Sequence, residues 1–274
     1  MESISVAIVA RNEAVNIGRT LDSVQWADEV VLIDSGSTDE TVAIALAKGA
    51  TVYTEAWRGY GAQVNAALDR CTCTWILNID ADEVVSPALA EEIRQVLSEQ
   101  TPRFVCYTVN RLNQIFGRWM RHGGLYPDRK VRLFRKGSAR LAEDTEPHAT
   151  PKTNARVGLL RGQLLHYQYL TLSAYVDHMN SYSTASVPLL IRRGKVSRSW
   201  WSFCLNVLVN PVFTFAYNYV VRLGFLDGRE GLLFHMNHSL YVSWKYGKAW
   251  KGEVRVEGVD GSAQSPEERF LKPR

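Results

Sequence analysis

The chain has 274 residues, 46% apolar and 22% charged, with 32 Lys and Arg against 28 Asp and Glu. That is ordinary for a globular protein with a substantial core, as one large domain or a domain with an appendage, and there is no internal repeat or low-complexity tract. The charge is uneven: residues 1–190 carry 19 basic and 21 acidic side chains, residues 191–274 carry 13 and 7, so a basic, Trp- and Tyr-rich second part points to an anionic partner, with no nucleic acid expected.

Residues 4–10 read as a first strand, not a signal peptide, because no basic n-region or long apolar h-region is present. Asn12 is positioned to cap a helix whose Ile17, Leu21 and Val24 recur at helical spacing. A second strand is expected at 29–33. The run Ser37-Thr-Asp-Glu40 then reads as a capping box for a helix ending near Gly49. Strands at 51–53 and 75–79 and helices at 60–70 and 87–97 complete a βαβ rhythm, which implies a mostly parallel sheet covered by helices.

Strands with alternating faces are expected at 104–109, 130–134 and 159–167, with an aromatic and basic loop over 116–126 and a helix over 172–190. Residues 199–221 contain no charged side chain, which is long enough to cross a bilayer. However, Pro211 and three amides, Asn206, Asn210 and Asn218, disfavour a lipid-facing span. Flanking Arg192, Arg193, Lys195, Arg198 and Arg222 favour a helix or broken helical pair lying in the membrane interface over a buried core helix. The four cysteines fit no zinc spacing and are expected to be reduced thiols.

Chemistry is expected where strands end. The strand at 75–79 runs into Asp80-Ala-Asp82-Glu83, and the strand at 29–33 ends in Asp34. In an open α/β sheet, ligands bind beyond the carboxyl ends of the strands. Carboxylates gathered there suit a divalent cation and a phosphorylated nucleotide. Asp34 is a candidate for a nucleobase or ribose contact. Asp39 is divided between bracing its loop and binding, and Arg11 and Glu13 follow the first strand toward the same cleft.

Three blocks carry a resemblance: Val6-Ala-Ile-Val-Ala-Arg-Asn-Glu-Ala-Val-Asn-Ile17, Val31-Leu-Ile-Asp-Ser-Gly-Ser-Thr-Asp-Glu-Thr41 and Asn78-Ile-Asp-Ala-Asp-Glu83. In order and spacing they resemble the family 2 inverting glycosyltransferases. The segment Gly123-Gly-Leu-Tyr-Pro-Asp-Arg-Lys-Val-Arg-Leu-Phe-Arg-Lys136 is similar to a narrower branch that includes bacterial lipopolysaccharide core glycosyltransferases. The resemblance covers about residues 3–182, and 211–251 more loosely.

It implies an α/β GT-A (Rossmann-like) fold, a mostly parallel sheet with helices on both faces, plus a C-terminal helical, membrane-associated extension. Residues 1–170 would form the nucleotide-sugar-binding catalytic domain, 171–257 the helical region and 258–274 a flexible tail. Asp34 would contact the base, and Asp80 and Asp82 would form the DxD-type pair. Asp82 is the favoured ligand of Mg2+ or Mn2+, with Asp80 near ribose or metal. Tyr126, Asp128, Arg129 and Arg132 would face the acceptor. For the two arginines the competing reading is the solvent face of an alternating strand. Members of this branch carry a Val-His-Glu run that becomes Pro-His148-Ala149 here. His148 then binds acceptor phosphate or metal, and the general base is Glu143, Asp144 or Glu146, with Asp144 or Glu146 favoured. His166 is either a late metal ligand or a packed strand histidine.

The expected activity is metal-dependent, inverting transfer of a hexose, glucose by preference, from a UDP-linked donor to a membrane glycolipid such as a lipopolysaccharide core intermediate, at the cytoplasmic face of the inner membrane. The alternatives are a sugar nucleotidyltransferase, which would want a glycine-rich basic loop that Val9-Ala-Arg-Asn-Glu13 lacks, and an inactive membrane scaffold, for which Ala149 argues.

Overall fold

A computed structural model describes residues 1–142 and 150–252. These fall into two compact units. One comprises residues 1–121 and 125–168, the other residues 122–124 with everything from Tyr169 on.

In the first unit the strands are β1 (Ile4–Ala10), β2 (Glu29–Asp34), β3 (Thr51–Thr54), β4 (Trp75–Asp80), β5 (Glu83–Val85), β6 (Cys106–Ile115), β7 (Arg118–Trp119), β8 (Asp128–Arg135) and β9 (Val157–Tyr169). They form one sheet in the order β3-β2-β1-β4-β8-β6-β9-β5, with β7 on β6. Strands β3, β2, β1 and β4 are parallel. The β4–β8, β8–β6 and β9–β5 pairings are antiparallel. The expected mostly parallel sheet is therefore corrected to a mixed one. After Ser98 the connections between strands no longer contain a crossover helix, and without one neighbouring strands pair antiparallel.

Helices α1 (Ala14–Asp22), α2 (Thr41–Ala47), α3 (Tyr60–Arg70) and α4 (Pro87–Ser98) cover both faces. The period-2 alternation of the strands decides which. Ile4, Val6 and Ile8 of β1, Leu32 of β2 and Leu77 and Ile79 of β4 pack with α1, α2 and α4. Ala7, Val31, Ile33 and Ile76 point the other way and pack with Val64, Ala67 and Leu68 of α3. The fit is close at Gly162 of β9, where any Cβ would overlap the backbone of Leu89 in α4.

Two expected caps are replaced by a reciprocal brace. Asn12 does not cap α1; it adopts φ 57° and its Oδ1 accepts from Thr38 N. The first turn of α1 is capped from across the loop. Thr41 Oγ1 accepts from Glu13 N at 2.7 Å and Asp39 Oδ2 from Ala14 N at 3.1 Å. Ser37 forms no capping box with Glu40; its Oγ accepts from Asn12 N, and the turn preceding α2 is closed by Asp34.

The second unit is helical: α5 (Leu172–Ala185), α6 (Val187–Arg192), an apolar helix Trp200–Val221 and a long helix Gly228–Lys251. Thr171 caps α5, and a capping box between Ser199 and Ser202 opens the apolar helix. Two π-helical stretches, Leu205–Val209 and Ala216–Val221, interrupt its α-helical geometry. The segment His122-Gly123-Gly124 lies against the turn between the last two helices. Asp227 accepts from His122 N at 2.8 Å, and Arg222 O from Gly123 N at 2.9 Å. The four cysteines are free.

Candidate active site

The carboxyl ends of β1, β2 and β4 lie side by side, with Ala10 in register with Asp34 and Val9 with Asp80. Asp34 is buried at the end of β2, and its carboxylate accepts from Gly36 N and Ser37 N at 3.1 Å each. It thereby shapes the loop that the sequence reading gave to the nucleotide. Asp39 is a brace: Ala14 N, Thr41 N and the Thr41 hydroxyl all donate to its carboxylate. Of its two expected roles, the structure shows the structural one. Arg11 is exposed.

The turn from β4 into β5 is held at every residue. Asp80 N donates to Glu83 Oε2 at 2.9 Å, Thr20 Oγ1 to Ala81 O at 2.7 Å and Tyr167 N to Asp82 O at 3.0 Å. This fixes where the two aspartates point, and they diverge. Asp80 shares the parity of Ile76 and faces α3, whose Tyr60 hydroxyl donates to its Oδ1 at 3.1 Å. Its Oδ2 lies 2.6 Å from Arg132 Nη2. Burial opposes ionisation of Asp80, but Arg132 and Arg111 outweigh it and hold the carboxyl well below the usual range. Asp80, expected near ribose or metal, is here the ion-pair partner of Arg132.

Arg132 is corrected too. The pairing of β8 with β6 slips here: Tyr107 is opposite Leu133 and Thr108 opposite Val131, so Arg132 is an extra residue at a bulge and leaves the regular alternation of the strand. Arg129 is exposed, whereas the Arg132 side chain is only 3% exposed and pairs with Asp80 and with fully buried Glu83, each at 2.6 Å. A solvent face therefore does not describe it. Asp128 is likewise paired, 2.7 Å from Arg111 and 3.3 Å from Lys130, while Arg111 reaches Glu83 at 3.3 Å. Tyr126 is half-buried, with its hydroxyl accepting from Gln163 at 3.4 Å.

Asp82 turns the other way, to β9. Its Oδ2 lies 3.1 Å from His166 Nε2, and His166 Nδ1 lies 2.7 Å from Asn113 Oδ1. Asn113 Nδ2 donates to Leu125 O, which fixes the amide so that its oxygen faces the histidine. Nδ1 therefore carries a proton, and Nε2 faces a carboxylate. That arrangement calls for a positive charge at Nε2, either a proton or a cation. Burial opposes protonation, yet the adjacent Asp82 raises the His166 pKa above its ordinary value. Among the described residues, no group of three His, Cys, Asp or Glu side chains converges on one point. A cation here would take Asp82 and His166 from the protein and its remaining ligands from substrate. Such a donor set suits Mg2+ or Mn2+, which keep phosphate and water ligands. Glu13 is close by; burial, reinforced by Asp82, raises its pKa to about 7.

The base candidates Glu143, Asp144 and Glu146, and His148, lie outside the described residues. The sequence reading did not include Glu83, Arg111, Asn113 and Tyr60 in the site. Glu83 stood inside the quoted acidic run, and its register opposite His166 was the missing information.

The sequence profile described as Glycosyl transferase family 2 matches residues 5–158. The chain belongs to that family. This glycosyltransferase is 32% identical to an uncharacterized glycosyltransferase of Rickettsia conorii over a 283-position alignment covering 99% of the chain and 98% of the relative. It is 30% identical, over 231 positions and 82% of each chain, to the lipopolysaccharide core biosynthesis glycosyltransferase LpsC of Rhizobium meliloti. Its fold is similar to that of the mannosyltransferase PcManGT from Pyrobaculum calidifontis, solved in complex with GDP-Man and Mn2+. The TM-score is 0.52 at 15% identity, covering 90% of this chain and 87% of the other. Family membership answers the nucleotidyltransferase and scaffold alternatives: the protein is a glycosyltransferase.

Two outcomes follow from the charges. Arg132→Met leaves Asp80 and Glu83 buried without their counter-charge and should lower unfolding free energy by about 3–5 kcal/mol. Urea denaturation measures this, and a loss below about 1 kcal/mol would contradict the network. Glu13 ionises at 4.5 when unfolded and at about 7 when folded. The folded state binds the extra proton between those values, so this contribution to stability is complete below 4.5 and disappears as pH rises through about 7. Without divalent cations, the wild type should lose up to about 3 kcal/mol more than Glu13→Gln between these limits. Parallel curves for the two proteins would refute the shift.

Proposed function

We propose that this glycosyltransferase moves a hexose, glucose by preference, from a UDP-linked donor to a membrane-anchored glycolipid of the lipopolysaccharide core type, with inversion and with Mg2+ or Mn2+. The observation that carries the reading is the Asp82–His166 pair, held at the mouth of the parallel strands with His166 Nε2 facing the carboxylate. When bound there, the cation supplies Lewis-acid stabilisation of charge on the departing nucleoside diphosphate. Asp34 and its loop offer the contact for base or ribose. Exposed Arg129 and half-buried Tyr126 remain on the acceptor side.

In the transfer, a carboxylate takes the proton of the acceptor hydroxyl, whose oxygen bonds to the anomeric carbon from the face opposite the diphosphate. The bond from that carbon to the diphosphate oxygen breaks, and an α-linked donor yields a β-linked product. Asp144 or Glu146 is proposed as the base from the sequence. The membrane acceptor is supported by the 30% identity to LpsC and by the apolar helix Trp200–Val221. That helix is long and apolar enough to cross a bilayer, and only 6% of its most apolar window is buried.

The interfacial reading of that helix rests on its two faces. Trp201, Leu205, Leu208, Val212, Tyr217 and Val221 are exposed along one side at helical spacing. On the other, Asn210 Nδ2 donates to Asn206 Oδ1 at 2.9 Å and Asn206 Nδ2 to Ser197 Oγ at 3.1 Å. A helix that is apolar on one side and bonded through amides on the other lies along a membrane surface more readily than it spans. The proposed location is the cytoplasmic face of the inner membrane.

The test is a panel of nucleotide sugars incubated with the purified chain and Mn2+, with and without EDTA, reading nucleoside diphosphate release. One UDP-sugar should give EDTA-sensitive release. Asp82→Ala should abolish it while circular dichroism stays unchanged. Near-normal turnover by that variant would refute the assignment.

A further inference from the structure

At the Trp200 end of the apolar helix, three pieces of the second unit meet. The core between α6 and the long helix is Val187, Leu190 and Ala249, with Tyr246 against it. Phe203 packs on Trp250 with ring centroids 4.9 Å apart, and Trp200 stacks on Phe203 at 5.8 Å. The connector from α6, which carries Lys195 and Arg198, thus lies beside the last turns of the long helix.

The cations at this end are used in two ways. Lys248 is a structural pin. Its ammonium donates to Asn180 O, Asn180 Oδ1, Ser183 Oγ and Thr184 Oγ1, all within 2.8 Å, and so ties the long helix to α5. Lys245, one turn earlier, has only aromatic faces. Its Nζ lies 5.5 Å from the Tyr241 ring centroid and 5.4 Å from that of Tyr246. Burial, and then the positive charge of Lys195, pull its pKa below the ordinary lysine value.

Among the described residues of this unit, the acids lie elsewhere. From residue 169 to 252 there are nine Lys and Arg side chains and three acids. Asp227 is buried on His122. Glu230 lies in the first turn of the long helix, about 22 Å along the axis from Lys245 at 1.5 Å per residue. Asp177 is exposed on α5 and does not figure in the electrostatics of Lys245. Next to this surplus stand Trp200, 74% exposed, and Trp201, 84% exposed, with Trp250 also open to solvent. Cations that have no acid beside them among the described residues, next to exposed indoles, match the headgroup level of a bilayer, where tryptophan and basic side chains concentrate.

We propose that this end of the second unit is a docking site for the anionic headgroups of a phospholipid bilayer. Lys195, Arg198 and Lys245 receive lipid phosphate, Trp200, Trp201 and Trp250 sit at headgroup level, and the exposed stripe of the apolar helix enters the acyl boundary. The inference rests on the interfacial reading of that helix and adds a selectivity: the protein distinguishes membranes by their surface charge. Basic groups gathered at one end of the unit are favoured where anions are dense, and a leaflet of negative lipids offers many.

The experiment is flotation of the full chain with vesicles of phosphatidylcholine alone and of phosphatidylcholine mixed with phosphatidylglycerol. The wild type should float with the anionic vesicles, and less so as salt is raised. Lys195→Gln with Lys245→Gln should weaken that partitioning by about 30-fold. Its circular dichroism and nucleotide release should match those of the wild type. Equal flotation with both vesicle types, or a double variant that floats like the wild type, would overturn the proposal. A chain that is dimeric in solution and floats with neither would also overturn it, and would assign the apolar face to a second copy. Nucleotide release is read separately, so loss of donor chemistry in the wild type would bear on the proposed function and leave the flotation result standing.

Discussion

The candidate site depends on one buried cluster of charge. Arg132 and Arg111 approach from β8 and β6, and Asp80, Glu83 and Asp128 meet them. Glu83 and Arg132 are almost wholly removed from water, so neither tolerates the loss of the other. Such a cluster is a poor source of stability compared with apolar packing, but it accepts one geometry only. It joins the last parallel strand to the antiparallel half of the sheet, and the turn between β4 and β5 is built on it. With Asp80 held by arginine, Asp82 is directed to His166. A single charged side chain on β8 thereby gives the two aspartates different surroundings.

This division of labour changes the meaning of the acidic motif. Two aspartates one residue apart suggest a shared cation, yet here one carboxylate is a structural counter-ion and the other meets an imidazole whose far nitrogen is occupied by Asn113. The electrostatics agree with the geometry: arginine keeps Asp80 charged, whereas burial favours the neutral form of Glu13 beside Asp82.

Much of the first unit was legible in the sequence because its signals are local. The alternation of β1, β2 and β4 and the spacing of Ile17 and Leu21 identify strands and helix from short windows. The carboxylates at strand ends follow from where those strands stop. What was not legible depends on pairing between distant residues. Arg132 looks like an exposed position on an alternating strand until β8 is laid beside β4. Asn113 and Arg111 lie beyond the expected end of their strand, which continues to Ile115. The cap of α1 was assigned to Asn12 because capping rules look to the adjacent residue, whereas Asp39 and Thr41 supply it from across the loop. In the second unit, composition identified the uncharged helix, but the amide ladder from Ser197 to Asn210 that separates its two faces required coordinates.

The central claim is that Asp82 and His166 hold a cation that the nucleotide diphosphate completes. Pulsed electron paramagnetic resonance of Mn2+ bound with UDP tests it most directly, because a coordinated imidazole nitrogen couples to the manganese spin. The account predicts a nitrogen coupling in the wild type that vanishes in His166→Ala. A Mn2+–UDP complex that forms with no nitrogen coupling, or one unchanged by the substitution, would contradict it.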